Sequence, residues 1–471
     1  MNKKHRQHPL AIVIGVTKEL KGYLLPLIIF FFLRSLGETS GSFFDRTFVL
    51  FLFVTIVFSL VFGFLRWFFF RFSYTSTAIE IYSGVFIKKH RTIKRTRIHT
   101  INLEANVVWQ SMHLVALKIE TPGNLDEAEV TISAVSKTLA LDMKNTLGND
   151  HKEDQASPDE QHAMHLNTKT LLTAGATSGS VGIIFAVVFA LIAQLMMFIP
   201  SQVIEFVSRF FTQTDLVILL SLFVVGIFLS WSISIVRYTL QYAYFALRDT
   251  TDSLEIKRGL FVRRHLTIKK RRIQAVLIIE GLLRQPFKYA TIQLVVAGGA
   301  SESSQNVVIH PLIKRTHIDD FVNHYLSDYE IIQAFKPSPK SARKRYLIRS
   351  GFIGALPFSF MVIRVEFLYV ALPIFALSLW LGYMRHRDAG YAVTDKAFAL
   401  RFRRVARTHV HIPKQRIQSY HYQANPMQRL KQLRTLSASV MAAPSSIDFH
   451  VKDLALDDAL LVHRWLSKQH N

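Results

Sequence analysis

The chain has 471 residues, half of them hydrophobic, and 37 are phenylalanine. This apolar content is typical of a membrane protein and argues against a soluble one. A formal net charge of +24 would suggest nucleic-acid binding in a soluble protein, but lysine and arginine also concentrate on the cytoplasmic flanks of membrane proteins. The absence of cysteine excludes disulfides and thiolate chemistry.

Six apolar stretches are found along the chain, arranged as three hairpins. A helix needs about 20 apolar residues to cross a bilayer, and four of the stretches reach this length. The first and fifth are shorter and are expected to extend towards their N-terminal sides. The loops within the hairpins are nearly charge-balanced, whereas the basic residues lie outside them. The positive-inside rule therefore predicts that both termini and the regions between hairpins face the cytoplasm. The stretches are residues 23–36, 47–70, 181–200, 216–235, 351–363 and 365–384.

A repeated segment follows each predicted hairpin. Its copies begin at Ile79, Leu254 and Phe398, so they are separated by 175 and 144 positions. Such a repeat indicates one module used three times. All copies share the pattern His-x-x-Ile-x-x-x-Arg-Ile. The hallmark histidine and arginine of the three copies are His90 and Arg97, His265 and Arg272, and His409 and Arg416.

Within each copy, apolar and polar residues alternate with a period of two, which predicts antiparallel strands. In the second copy a turn with Gly259 separates two such runs, as in a β-hairpin. A later strand follows, and a short amphipathic helical pattern ends each copy. These patterns predict a small curled sheet with a helix over its open end. The expected core of the second copy contains Leu254, Ile256, Ile273, Ile292, Leu294, Phe321 and Leu326.

Three segments of the second copy, residues 259–264, 268–274 and 294–299, resemble the bacterial PH-like domain of the second type. Three such domains, each behind a membrane hairpin, resemble the YdbT-like membrane proteins of Gram-positive bacteria over essentially the full length. The third copy departs from the pattern, with Arg403 in the place of Gly259. The resemblance implies a PH-like fold, membrane residence and a role in envelope stress or antimicrobial-peptide tolerance, and it implies no established chemistry.

We therefore predict an α+β membrane protein with six transmembrane helices in three hairpins, each followed by a cytoplasmic PH-like domain made of a small antiparallel sheet or barrel and a C-terminal helix. The expected divisions are an N-terminal segment with the first hairpin at 1–72, PH-like domain 1 at 73–147, a disordered linker at 148–165, the second hairpin at 166–243, PH-like domain 2 at 244–330, a basic linker at 331–345, the third hairpin at 346–388, and a degenerate PH-like domain 3 at 389–470.

Basic residues cluster on the hairpins of the first two copies, and this makes them candidate binding sites for anionic lipid or for a protein partner. Each basic side chain near an anionic membrane surface can contribute about 1 kcal/mol. The alternative is a solvated strand face that is basic only because of the topology. Aromatic residues that could stack on bases are sparse, so no nucleic acid is expected. The candidate residues are Lys88, Lys89, Arg91, Lys94, Arg95, Arg97, Arg263, Arg264, Lys269, Lys270, Arg271 and Arg272.

Motifs for catalysis are absent from the sequence, which has no phosphate-binding glycine loop, no Gly-x-Ser-x-Gly and no His-Glu-x-x-His. We expect no enzyme and no cofactor. The repeated histidines lack carboxylate or cysteine partners at metal-binding spacing, so we expect no metal and favour hydrogen-bonded histidines.

The expected function is that of a scaffold or accessory protein of the cell membrane. Its expected partners are anionic membrane lipids and another membrane protein, such as a smaller PH-like relative. A component of a small-molecule or lipid transporter is the alternative. The nearly complete lack of ionisable residues inside the predicted spans favours the scaffold, because such residues mark substrate pathways.

Overall fold

A computed structural model describes residues 4–13, 15–17, 22, 46–98, 100–105, 107–120, 130–147, 163–195, 205, 216–297, 306–362, 368–442 and 446–467. The predicted span at 23–36 and most of the predicted linker at 148–165 lie outside the described residues.

The first module consists of two antiparallel groups of three strands and a closing helix. Alternate side chains of both groups point into a common core, where Phe72, Leu117 and Met143 are fully buried. Its elements are α1 (Arg46–Phe69), β1 (Arg71–Tyr74), β2 (Ala78–Ser83), β3 (Lys89–Lys94), β4 (Thr100–Ala105), α2 (Val107–Ser111), β5 (Leu114–Glu120), β6 (Val130–Ser136) and α3 (Lys137–Leu147).

The second module repeats this architecture. Its core contains all seven residues expected from the sequence, including Ile292 on a strand and Phe321 on the closing helix, so that prediction is confirmed. Its elements are β7 (Met164–His165), α4 (Thr168–Ala176), α5 (Val181–Leu195), α6 (Leu216–Tyr242), β8 (Ala246–Thr250), β9 (Ser253–Arg258), β10 (Arg263–Lys269), β11 (Ile273–Glu280), β12 (Tyr289–Val296), β13 (Asn306–Lys314) and α7 (Ile318–Tyr325).

The third module has the same order of strands and a closing helix, despite its weaker sequence pattern. Phe398, Leu436 and Val462 lie in its core. Its elements are β14 (Lys336–Pro337), α8 (Arg343–Val362), α9 (Leu368–Asp388), β15 (Gly390–Val393), β16 (Ala397–Arg403), β17 (Arg407–Pro413), β18 (Ile417–Gln423), α10 (Pro426–Arg429), β19 (Leu433–Val440), β20 (Ile447–Ala455) and α11 (Leu456–Ser467).

Glycine is required at the turn between the second and third strands of the first two modules. Gly84 and Gly259 have φ angles of 109° and 105°, which only glycine adopts at little cost. A Cβ atom on Gly259 would lie 2.0 Å from the carbonyl oxygen of Val262. The predicted glycine turn is therefore confirmed. In the third module Arg403 replaces this glycine, and its guanidinium is buried against Asp388.

The prediction of six transmembrane helices in three hairpins is wrong. Within the described residues, two helices are long and apolar enough to cross a membrane, at Leu52–Phe69 and Ser221–Tyr242. A third is possible only if α4 and the start of α5, which meet at 61°, count as one span. Charged residues shorten the apolar part of α8 at its start and of α9 at its end, so neither offers a full-length apolar segment.

Neighbouring modules share their sheets, which the sequence analysis did not foresee. Strand β4 of the first module pairs with β10 of the second, and β11 of the second pairs with β17 of the third. Both pairings are antiparallel. The last three strands of one module and the first three of the next thereby join one seven-stranded sheet. The three modules are therefore not separate small sheets.

Candidate functional site

The first junction, between β4 and β10, combines strand pairing with polar side-chain contacts. Glu104 lies opposite Arg264, and the Nε atom of Arg264 is 3.7 Å from a carboxylate oxygen of Glu104. Beside the strands, the side-chain amide of Gln110 donates to the carbonyl oxygens of Leu260 and Phe261, at 3.2 and 3.0 Å. The turn of the second module is thereby held against the first module.

The second junction, between β11 and β17, centres on a buried carboxylate. Glu280 is 3% exposed, forms an ion pair with Arg407 and lies 3.4 Å from Nε2 of His409. Burial acts to raise the pKa of Glu280, but its contacts with His409 and Arg407 outweigh burial and lower it to about 2. The amide oxygen of Gln285 accepts from Arg403 at 2.7 Å, as the counterpart of the Gln110 contact.

The candidate basic residues of the second module are largely engaged in the fold. Arg263 and Arg264 lie in the first junction, opposite Ala105 and Glu104. Lys270 forms a 2.7 Å ion pair with Asp249. Arg272 is partly buried, which lowers the pKa of its guanidinium. Only part of the predicted basic hairpin is therefore available to a ligand, through the exposed Arg263 and Arg271 and the half-buried Lys269.

The candidate basic residues of the first module are mostly exposed. Strand β3 is the last strand of a three-stranded sheet, and Lys88, Lys89, Arg91, Lys94 and Arg97 are on the surface, while Arg95 is half-buried. The structure brings them together along one strand and the short 3₁₀ helix that follows it. A basic strand with this exposure is able to contact an anionic surface.

The tip of the first hairpin is apolar and lies beside a candidate membrane span. Phe86 and Ile87 are 84% and 73% exposed, directly before Lys88. The ring of Phe86 lies 6.1 Å from the ring of Phe62, which belongs to the span at Leu52–Phe69. The hairpin therefore presents an apolar tip followed by basic residues, next to the helix that would enter the bilayer. We define residues 84–91 as the tip segment.

The hallmark residues of the three copies occupy equivalent positions but have different environments. Each arginine (Arg97, Arg272 and Arg416) ends a 3₁₀ helix after the third strand of its module. The ring of His90 stacks on Tyr82 at 4.4 Å, and His265 lies 3.5 Å from Glu255. The contact with His265 lowers the pKa of Glu255 to about 2.

Two histidines of the third module are buried, His409 at the junction and His411 two residues later. The pKa of His411 is lowered to about 3, mainly by burial. Among the residues that the structure describes, no three histidine, cysteine, aspartate or glutamate side chains are grouped as metal ligands.

A polar cavity of about 630 Å³ lies on the outer face of the sheet formed by β18, β19 and β20. Its lining includes Arg349, His450 and Lys452. Burial and the nearby Arg349 lower the pKa of the Lys452 ammonium. However, the buried carboxylate of Asp453 already accepts from Arg349 at 2.7 Å and from Arg345 at 2.9 Å. The cavity is therefore a weaker anion site than the exposed first hairpin.

The junction residues were missed from the sequence, although one signal was available. Gln110 and Gln285 are separated by 175 positions, the same offset as the first two copies, and both contact the turn of the following module. A search for repeated polar residues outside the basic hairpins would have found this pair. The glutamates Glu104 and Glu280 do not follow the offset, so no such search would have found them together.

The repeated modules and the candidate spans define a membrane protein built from PH-like domains. The family described as Bacterial PH domain matches residues 24–151, 176–329 and 349–470, and the chain belongs to this family. It is also similar to the UPF0699 transmembrane protein YdbT of Bacillus subtilis (strain 168), with 27% identity over 99% of each chain. The predicted resemblance to YdbT-like membrane proteins with three PH-like domains is thus confirmed.

Proposed function

We propose that the protein is a non-catalytic scaffold of the cell membrane, and that its first module binds anionic lipid through the tip segment. The observation that carries this proposal is the exposed apolar tip beside a candidate span, followed by exposed basic residues. The modules lie on the cytoplasmic side in this proposal, because the basic residues concentrate around them. In this proposal the chain also crosses the membrane more than once, and the candidate spans support this.

The depth of the tip supports contact with lipid. Phe62 lies seven residues before the end of the span, which corresponds to about 10 Å along a helix axis. A ring in contact with Phe62 is therefore level with the acyl chains, where the exposed Phe86 and Ile87 are stabilised by burial in hydrocarbon. Lys88 and Lys89 follow directly, at the level where phosphate groups lie.

Distance along the strand separates the basic residues into two groups. A strand rises about 3.3 Å per residue, so Lys94 lies about 16 Å beyond Lys89 along β3. The Debye length at 0.1 M salt is about 10 Å, so charges at that distance from the headgroups are screened. Lys88, Lys89 and Arg91 therefore supply most of the attraction, while Lys94 and Arg97 supply little.

An environment-sensitive fluorophore on the tip tests the proposal. The chain has no cysteine, so Ile87→Cys gives a single labelling site. We expect the full-length protein in nanodiscs to show a larger blue shift when phosphatidylglycerol is added to phosphatidylcholine. Lys88→Gln/Lys89→Gln should remove most of this response, whereas the matched control Lys94→Gln/Arg97→Gln should retain it.

Equal spectra in the two lipid compositions would contradict binding of anionic lipid. An equal loss in the two double variants would contradict the placement of the site at the tip and would favour a protein partner. The expected link to envelope stress and antimicrobial-peptide tolerance stays a prediction.

A further inference from the structure

Two strand edges at opposite ends of the array of modules have no partner among the described strands. Strand β3 is the last strand of the first three-stranded sheet, and β18 is the first strand of the last sheet. Their equivalents in the other modules are all paired, β10 and β17 with β4 and β11. Each end of the chain therefore presents one half of a junction that the protein forms twice internally.

The two internal junctions have the same register. Glu104 faces Arg264 at the first junction, and the residues at the corresponding repeat positions, Ile279 and Thr408, face each other at the second. Main-chain hydrogen bonds fix this register even though the side chains differ. Applied to the open edges, it places Lys89 opposite Gln423 and His90 opposite Tyr422.

In each module, the edge of the first of its three N-terminal strands is paired with another segment of the same chain. His5 pairs with Phe72 on β1, through main-chain hydrogen bonds of 2.7 and 3.1 Å. Strands β7 and β14 cover β8 and β15 in the same way. The chain thus covers the first-strand edge of every module, whereas the edges of β3 and β18 that correspond to the internal junctions stay unpaired among the described strands. Natural proteins commonly cover or charge an exposed strand edge, because it is a template for pairing.

We infer that copies of this chain associate head to tail, with β18 of one copy pairing antiparallel to β3 of the next in the register of the internal junctions. This inference does not depend on lipid binding, because strand pairing uses main-chain groups, and Arg263 stays exposed on the paired strand β10. The interface joins two different surfaces, so it continues as a ring or an open row and does not stop at a dimer.

The chemistry of the two edges is compatible with this pairing. β3 carries Lys89, Arg91 and Lys94, while β18 carries no formal charge, so the strands do not repel each other. Gln423 occupies the position at which Glu104 pairs with Arg264. In the same way Arg429 occupies the position of Gln110. In the proposed pairing it offers hydrogen-bond donors to the turn of the first module in the next copy.

Disulfide cross-linking of the full-length protein in membranes tests the register, because the chain lacks cysteine. Lys89→Cys and Gln423→Cys are placed in separate, differently tagged copies and expressed together. The intramolecular pair Glu104→Cys/Arg264→Cys calibrates the oxidation, since it occupies the same positions at the first junction. Directly opposite residues lie within the Cα distance of about 4.4 to 6.8 Å that a disulfide requires.

We expect a disulfide-linked heterodimer from Lys89→Cys with Gln423→Cys, and much less from Lys89→Cys with His421→Cys, which is two residues out of register. A calibration pair that cross-links while the intermolecular pair does not would overturn the inference. Equal yields from the matched and shifted pairs would overturn it as well, because they indicate random collision, and so would a cross-link to a different protein.

A second measurement tests the register by changing the charge of residue 423, which is glutamine where the first junction has Glu104. Gln423→Glu recreates the ion pair of the first junction, whereas Gln423→Lys places like charges opposite each other. An exposed ion pair of this kind changes an equilibrium by about two- to fivefold. With cysteines at His90 and Tyr422 as the reporting pair, Gln423→Glu should raise the heterodimer yield by this factor and Gln423→Lys should lower it. Equal yields from the two variants would count against the proposed register.

Discussion

Leu277→Ala tests whether the modules depend on each other for their cores. Leu277 belongs to β11 of the second module, yet its side chain packs in the core of the third, opposite Val410 and near Phe398 and Leu400. It is 3% exposed. If the junction exists, removing a side chain from the second module should therefore destabilise the third.

The expected cost follows from the burial of the side chain. Replacing a fully buried leucine by alanine costs about 2 to 5 kcal/mol, because the transfer free energy is lost and a cavity remains. Strands β11 and β17 are tied on both sides by neighbouring strands, so they cannot collapse into the cavity. Since about 1.4 kcal/mol corresponds to a factor of ten, the opening of this region should become about 30-fold to over 1,000-fold more frequent.

Hydrogen exchange of the full-length protein in nanodiscs measures this opening. We expect faster exchange of β16, β17 and β19 in Leu277→Ala, with β5 and β6 of the first module unchanged. Leu283→Ala is the matched control, because Leu283 is 52% exposed and its truncation should change stability by less than about 0.5 kcal/mol. Faster exchange confined to β11, β12 and β13 would refute the shared core.

Two further predictions concern the turn and the second junction. Gly259→Ala should lower the melting temperature, because the added Cβ would clash with the Val262 carbonyl at a positive φ, a strain of about 1 to 3 kcal/mol. Gly179→Ala is the control and should leave the melting temperature unchanged, because nothing lies within 4 Å of the added Cβ. Equal melting temperatures of the two variants would contradict the strained turn. Acid should weaken the second junction, because folding lowers the pKa of His411 to about 3 and that of Glu280 to about 2. The stability that these two groups contribute is complete above pH 6.5. As the pH falls it is lost first through His411 and, below about pH 4.5, also through Glu280. Glu280→Gln should reduce the loss below pH 4.5 in exchange measurements on β11 and β17, where the part due to His411 remains, and an unchanged profile in this variant would contradict the assignment.

The sequence by itself determined the modules. Alternating apolar residues, the glycine turn and the closing helix are local patterns, and the repeat made each of them visible more than once. The core around Ile292 and Phe321 followed from these patterns because side chains alternate across a strand and recur along a helix face. Hydropathy also indicated a membrane protein, but it predicted more spans than the described helices offer, and charged residues at the start of α8 and the end of α9 shorten their apolar segments.

Only the tertiary structure decided which strands meet. Pairing between strands uses main-chain N–H and C=O groups, which every residue other than proline carries, so the sequence does not name the partner of an edge strand. The pairing of β4 with β10, and of β11 with β17, depends on the positions of whole modules. The same positions engage Arg264 with Glu104 at a junction and leave Lys89 exposed, although the two residues are equivalent in the repeat. Equal sequence patterns therefore acquired different surroundings, because one edge has a neighbouring module and the other does not.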